Sequence, residues 1–176
     1  RVGTNSMNTI YSSSDGIIWT NANVSNHFTK GQGRTVFVFD KKIWSMGGNE
    51  KDENDNYNPA DGGLSKVWYS DNGTQWYQSD NASWQGRQEG SGVSFDHKMW
   101  IMAGYVGWDN VNDVRPSGGC TVGNGRFCDV WYSSDGTTWT NTNASGHWPG
   151  TRHLRTIVFK NSLWALTGEG GIENNV

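Results

Sequence analysis

Short runs of alternating apolar and polar residues, each ending in a turn rich in Asp, Asn and Gly, recur along the whole chain. In the clearest run, the apolar residues that begin at Val130 lead into Asp135 and Gly136, and a second strand continues to Thr140. Asp-Gly favours a tight turn between antiparallel strands because Gly adopts positive φ without a Cβ clash and Asp tolerates it. No window of ten or more residues spaces its apolar positions at three and four. The pattern therefore predicts an all-β fold.

This predicted hairpin occurs three times, at about 9–20, 66–77 and 129–140, and the first copy reads as if its turn held one extra Ser. After a polar loop, each hairpin is followed by a second pair of strands. These pairs are predicted at 34–39 and 43–47, at 91–95 and 99–103, and at 154–159 and 163–167.

Two sets of tryptophans measure the period. Trp19, Trp76 and Trp139 lie 57 and 63 residues apart, and Trp44, Trp100 and Trp164 lie 56 and 64 apart. Two markers with nearly the same period indicate a repeat, which outweighs element-by-element prediction. The sequence predicts one domain over 1–176, with repeats at roughly 9–48, 66–104 and 129–168 and long loops at 49–64 and 105–127.

The repeats also carry a family resemblance. The second strand pair ends in Gly47-Gly48 in the first repeat and in a single Gly in the others, and an aromatic precedes the hairpin Trp by seven residues, as Tyr132 precedes Trp139. Over nearly all of its length the chain resembles the Kelch repeat. The Asp-box of sialidase-type propellers is a weaker match, because Asp135 and Gly136 are adjacent. The resemblance implies a β-propeller in which each repeat supplies one four-stranded blade.

Three repeats are fewer than the four to eight blades of typical closed propellers. We expect a piece of a larger propeller, or one of two copies that make a six-bladed ring. The chain begins with an outer hairpin and ends with an inner pair, so these segments are expected to complete one blade, within one ring or with a neighbouring copy. A first residue Arg1, without Met, suggests a processed or excised piece.

Composition and net charge restrict the classes of partner that the sequence predicts. Eleven Trp and 24 Gly replace the usual Leu and Ala, and a net charge of −3 offers no electrostatic footprint for nucleic acid or an anionic membrane. No apolar run reaches the length of a membrane span. Sparse Lys, abundant Asn, Thr and Trp, and two cysteines favour an extracellular or cell-surface location. Cys120 and Cys128 are predicted to form a disulfide that closes their Gly-rich loop, and two free thiols are the alternative.

The candidate site lies on the long loops. In an up-and-down sheet successive connections alternate between faces, so the loops at 21–33, 49–64, 78–90, 105–127 and 141–153 share one face. Trp84 and Trp148 occupy matching places there. The candidate ligand-binding residues are Trp84, Arg87, Trp108, Trp148, Arg152 and His153. Exposed Trp stacks on sugar rings or apolar groups, and Arg or His donates hydrogen bonds. The alternative is that these aromatics pack between blades and hold the loops to the core.

A cation and a catalytic centre have less support. Asp52, Asn54 and Asn56 place oxygen ligands at alternate positions, which hints at a structural Ca²⁺, but Tyr57 stands where an EF-hand loop needs Gly. A solvated acidic loop is the alternative, and no other cofactor is expected. No Ser/His/Asp or Cys/His spacing points to catalysis.

The sequence thus predicts a non-catalytic binding or interaction module that recognises a protein or glycan through the long-loop face. One alternative is a structural subunit, a homo-oligomer that assembles into rings or filaments through its blade ends. The other is a non-catalytic remnant, or a part, of a propeller enzyme that acts on glycans.

Overall fold

The computed structural model describes residues 8–22, 24, 26–51, 56, 63–106, 125–142, 148–166 and 168–170. These residues form antiparallel strands joined by turns and loops, with no helix, which confirms the all-β prediction. No membrane-spanning helix occurs in this part of the chain. The strands are β1 Tyr11–Ser12, β2 Thr20–Asn21, β3 Gly31–Phe39, β4 Lys42–Glu50, β5 Val67–Ser70, β6 Tyr77–Gln78, β7 Ser91–Phe95, β8 Lys98–Met102, β9 Val130–Ser133, β10 Thr140–Asn141, β11 Thr151–Arg152, β12 Arg155–Phe159, β13 Ser162–Leu166 and β14 Glu169–Gly170.

Two sheets are complete, with the strand orders β3-β4-β5-β6 and β7-β8-β9-β10. Each sheet is an antiparallel meander, in which sequence neighbours pair. Successive connections therefore alternate between the two ends of the strands: in each complete sheet the tight turns join the strands at one end, and the longer connections start from the other end. The remaining strands form two-stranded units, β1-β2, β12-β13 and β11-β14, and the described strands close into no ring or barrel.

Each complete sheet joins the second strand pair of one repeat to the hairpin of the next. In the first sheet Trp44 lies opposite Tyr69, and in the second Trp100 lies opposite Tyr132. The two rings of each pair have centroids 5.2 Å apart. This phase leaves the first hairpin, β1-β2, without an inner pair and the last pair, β12-β13, without a hairpin, among the residues that the structure describes.

The inner strands follow one another side by side. The Glu89 amide donates to the Gly33 carbonyl at 2.8 Å, and the His153 amide donates to the Glu89 carbonyl at 3.0 Å. These three repeat-equivalent residues all have φ between 56° and 70°. Gly92 of β7 packs so closely on the Phe37 ring that a Cβ there would overlap it. Position 92 therefore requires a residue without a side chain, because the two inner strands approach closely there.

The hairpin turns share one hydrogen-bond pattern. Ser133 Oγ accepts from the Gly136 amide at 2.8 Å, and Asp135 Oδ1 accepts from the next two amides at 2.8 and 2.7 Å. In the first copy Ser13 and Asp15 make the same contacts. The two turns therefore have equal length, and the expected extra Ser is wrong. The two hairpins align residue for residue, since Tyr11 pairs with Asn21 as Trp131 pairs with Asn141. Ser12 therefore stands where the third copy has Tyr132.

We expect Asp135→Ala to destabilise the fold by about 1 kcal/mol, because two amides lose their acceptor. Asp135→Asn is the matched control, since Asn72 already makes the equivalent bonds in the second copy. The amide of Thr138, with further hydrogen bonds from Thr137 and Ser133, holds the pKa of the Asp135 carboxyl well below its ordinary value. A depressed pKa stabilises the fold above the unfolded-state value of about 3.8 and loses that contribution as pH falls.

Urea unfolding at neutral and acid pH tests this prediction. The Ala variant should unfold earlier than the Asn variant at neutral pH. The wild-type protein should lose stability relative to Asp135→Asn as pH falls below about 4. Equal stability of all three proteins at both pH values would contradict it.

The apolar core lies between the two complete sheets. Eight buried residues form it: Trp44, Met46, Val67, Ala82, Trp84, Met99, Ile101 and Trp139. Trp139 comes from the second sheet and meets Trp84, on the loop after the first sheet, edge to face with ring centroids 5.9 Å apart. The turn before it also packs here, because a methyl group at Gly136 would overlap the Trp44 indole. Aromatic side chains suit such a contact because each buries a large flat area.

Candidate functional site

Trp84 is placed in the core and not on the ligand face. Its side chain is 1% exposed and packs on Trp139 between the two sheets. The expected exposure of Trp84 is therefore wrong, and the packing alternative describes it. The physical reason is that the loop after β6 folds back over the gap between the sheets, where the indole fills space that the strands alone leave open.

Arg87 is equally buried, at 1% exposure, and pairs with Asp129. Its two terminal nitrogens donate to the two carboxylate oxygens at 2.6 and 2.8 Å, and Nη1 also donates to the Ala103 carbonyl at 3.0 Å. The guanidinium lies 4.3 Å from the Phe127 ring centroid and 5.4 Å from that of Trp84. Nε also donates to the Gln85 carbonyl at 3.3 Å. This bidentate, buried pair links the loop to the strand and occupies the guanidinium face that a ligand would need.

Asp129 is the partner that sequence reasoning missed. Its second oxygen also accepts from Trp131 Nε1 at 2.7 Å. A signal was available, because both members depart from their repeat: the Arg87 position holds Gly31 and Thr151 in the other repeats, and Asp129 aligns with Lys66. Two charged departures of opposite sign indicate a pair, although only the fold brings positions 42 residues apart into contact.

Arg152 and His153 belong to a charged cluster at the long-loop end of the inner strands. Arg152 donates to Glu169 Oε1 at 2.7 Å and lies 3.7 Å from Glu89, and Arg126 also reaches Glu169, at 2.9 Å. His153 Nε2 lies 3.0 Å from Glu89. The hydrogen bond from Arg152 lowers the pKa of Glu169, and the same bond raises the pKa of Arg152.

This cluster combines two arginines and a histidine with the two carboxylates of Glu89 and Glu169. The side chains of His153 and Glu169 are about half exposed. Glu169 accepts hydrogen bonds from Arg126 and Arg152, and Glu89 lies within ion-pair distance of Arg152, so the arrangement ties β11 and β14 to the neighbouring inner strand. Neither Glu89 nor Glu169 was singled out from the sequence, because each is an isolated acidic residue in a Gly-rich stretch. The prediction of ligand contacts at Arg152 and His153 stays a prediction.

Trp148 lines an apolar pocket between the second sheet and the last strand pair. The pocket has a volume of about 280 Å³. Trp148 is partly buried against a cluster that contains Met102 and Val130, while Leu163 and Ala165 close the opposite wall. Thr142 lies at its rim. The pocket is nearly free of polar groups, so it suits an apolar side chain better than a sugar.

Several predicted residues lie outside the described part of the chain. Trp108, Asp52, Asn54 and Cys120 are among them. Of the described members, Asn56 is exposed and Cys128 is buried at 1% exposure. Because the other members of each set lie outside the described residues, the calcium site and the disulfide remain predictions. Within the described ranges no group of three or more His, Cys, Asp or Glu side chains is arranged to hold a metal ion.

Exposed apolar side chains concentrate at the two ends of the sheet array. Among the residues that the structure describes, twelve large hydrophobic side chains are exposed, and all but Tyr77 lie on the first hairpin, on β3 or on the last pair. We call the exposed residues of the first hairpin and β3 the leading end, and those of the last strand pair the trailing end. The leading end comprises Tyr11, Ile17, Ile18, Trp19, Val36 and Val38. The trailing end comprises Ile157, Val158, Phe159, Trp164 and Leu166.

The repeat gives each end an internal reference. Trp19 is 61% exposed, whereas its equivalents Trp76 and Trp139 are 3% and 7% exposed. Leu166 is 47% exposed, whereas its equivalent Met46 is fully buried. The same positions are therefore covered where a neighbouring half-sheet is present and open where it is absent.

Comparisons with protein-family models and with curated proteins find no match to this chain.

Proposed function

We propose that this chain is a non-catalytic interaction module, a segment of a Kelch-like β-propeller outside the cell that self-associates through its leading and trailing ends. The observation that carries the proposal is the contrast between Trp19 and its two buried equivalents. An apolar face that is core in two repeats and open in a third is a surface built to be covered.

The two ends complement each other in kind. The leading end is an outer hairpin, β1-β2, and the trailing end is an inner pair, β12-β13. In both complete sheets an inner pair is covered by an outer hairpin through β4-β5 or β8-β9 pairing. Pairing of the two halves would add an edge-to-edge ladder to apolar burial, which is how an exposed sheet edge binds another chain.

Recognition of a protein or glycan through the long-loop face has less support. Trp84 and Arg87, which anchored that hypothesis, are core residues. The charged groups around Arg152 already pair with one another. The sheet ends therefore offer the better case for a binding surface.

Self-association through the ends predicts that the mass of the protein in solution depends on the residues of those ends. Light scattering should give a mass above the 19.6 kDa of one chain, rising with concentration. Leu166→Asp should return the protein to that mass, because it places a charge in the apolar contact. Tyr77→Ser is the matched control, since Tyr77 is also an exposed apolar residue but lies on neither end. Circular dichroism checks that each variant folds.

A wild-type mass of 19.6 kDa at every concentration would overturn the proposal. An equal loss of mass in Tyr77→Ser and Leu166→Asp would also count against it, because the association would then not use the ends.

A further inference from the structure

We infer that the pocket beside Trp148 is the binding slot for Trp19 of a second copy of this chain, whose first hairpin adds to β13 in a defined register. The inference rests on the proposed self-association and names its partner segment and contacts. The contact between the two complete sheets serves as the template. The pocket repeats that contact, except that the tryptophan equivalent to Trp139 is missing.

The core cluster between the complete sheets has eight residues, and six have equivalents that line the pocket. Trp44, Met46, Val67, Trp84, Met99 and Ile101 correspond to Trp100, Met102, Val130, Trp148, Leu163 and Ala165. The equivalent of Ala82 is Gly146, outside the described residues. The remaining member is Trp139, whose equivalent at the pocket belongs to the hairpin that β12-β13 lacks. The empty place is therefore shaped for the Trp of an outer hairpin.

The first hairpin carries that Trp in the required setting. Trp19 Nε1 donates to the Gly16 carbonyl at 3.2 Å, as Trp139 Nε1 donates to the Gly136 carbonyl at 3.2 Å. Gly136 is pressed against Trp44, whereas nothing lies within 4 Å of a Cβ at Gly16. On docking, Gly16 would meet Trp100, the equivalent of Trp44. The indole and the turn of the first hairpin thus have the local geometry that the vacant position requires.

The register follows from the two complete sheets. Ser45 lies opposite Trp68, and Ile101 lies opposite Trp131. The equivalents of these pairs join Ala165 of β13 to Tyr11 of the docked hairpin. Continuing along the ladder in both directions places Leu163 opposite Ser13, Trp164 opposite Ser12, and Leu166 opposite Ile10. A shift by one residue would turn every side chain of β1 to the other face, so the register is strongly specified.

The same contact would also bury a second pair of apolar surfaces. Phe37 and Phe39 of the first sheet pack on the core between the sheets. Their equivalents Ile157 and Phe159 are exposed on the trailing end, and Val36 and Val38 are exposed on the leading end of the facing copy. The apolar strips would cover each other as the hairpin docks.

A second copy is the occupant that the described residues favour. Within one chain β1-β2 and β12-β13 form separate two-stranded sheets and Trp19 is 61% exposed, so the chain's own first hairpin does not occupy the pocket. Among its described residues each copy has one hairpin without an inner pair and one inner pair without a hairpin, so a two-fold pair would use each end once.

Cysteine cross-linking tests the register. Tyr11→Cys and Ala165→Cys are made in separate chains of different tag length, mixed and oxidised. We expect a cross-linked heterodimer from the mixture and not from either variant alone, because directly opposed residues have Cβ atoms about 4.5–5.5 Å apart. Ser12→Cys mixed with Ala165→Cys is the matched control, in which the cysteine points to the other face of the strand. Adding Trp19→Ala to the Tyr11→Cys chain should lower the cross-linking yield roughly tenfold or more.

The outcomes separate the two proposals. A doubled mass without the Tyr11–Ala165 cross-link, or with a better yield from the Ser12 control, overturns the register while self-association stands. A Tyr11→Cys/Ala165→Cys double variant that cross-links within one chain at high dilution overturns the second copy as occupant. A yield unaffected by Trp19→Ala overturns the slot. A monomer at every concentration overturns self-association and the slot together.

Discussion

Asp129→Ala should lower the free energy of unfolding by about 3–5 kcal/mol, one of the two largest losses that we expect from a single substitution in this chain. The change leaves the Arg87 guanidinium buried at 1% exposure without its carboxylate. An uncompensated buried charge costs far more than the pair contributes when intact, because water cannot replace the lost partner.

Two comparisons make the result specific. Asp71→Ala removes the exposed partner of Lys42, 3.7 Å away, and should cost at most about 1 kcal/mol. The double variant Arg87→Met/Asp129→Leu removes both charges and should regain most of the loss, since apolar groups of similar volume can replace a buried pair. Urea unfolding with a constant m-value measures all three. An Asp129→Ala midpoint no lower than that of Asp71→Ala would contradict the prediction.

Trp84→Ala should also cost about 3–5 kcal/mol, because it opens a cavity between the two complete sheets. The indole is 1% exposed and contacts Trp139, so both sheets lose packing. Thr138→Gln is the control, since Thr138 is exposed, lies on neither end, and has Gln75 as its equivalent in the second repeat. The control should stay within about 0.5 kcal/mol of the wild-type protein.

The Trp84 result also bears on function. A ligand-binding Trp on the surface would weaken binding when removed and leave the unfolding transition almost unchanged. A large loss of stability would instead assign Trp84 to the core. Unfolding of Trp84→Ala at the wild-type urea midpoint would contradict the core assignment and revive the long-loop face as a site.

Local patterns in the sequence were sufficient to predict most of the strands, the turns and the repeat. Alternation with period two, Asp-Gly or Asn-Gly turns and regularly spaced tryptophans depend on local backbone preference and on spacing along the chain. Both can be read from a single sequence. They were enough to predict the alternating loop faces and the split phase, in which the chain opens with an outer hairpin and closes with an inner pair. One local detail failed: the extra Ser expected in the first turn is absent, because the turn hydrogen bonds and the strand pairing align Tyr11 with Trp131.

Which tryptophans are buried in the core and which are exposed depends on tertiary packing. Trp19 and Trp139 have the same local sequence setting, yet one is 61% and the other 7% exposed, because burial depends on the presence of a neighbouring half-sheet. The same holds for Trp84 and Arg87, whose residue types fit a ligand site as well as a core. Their roles follow from Trp139 and Asp129, which contact them from the other sheet across 55 and 42 residues of chain. Contacts at such separations depend on how the sheets pack, and no local pattern in the sequence records that packing.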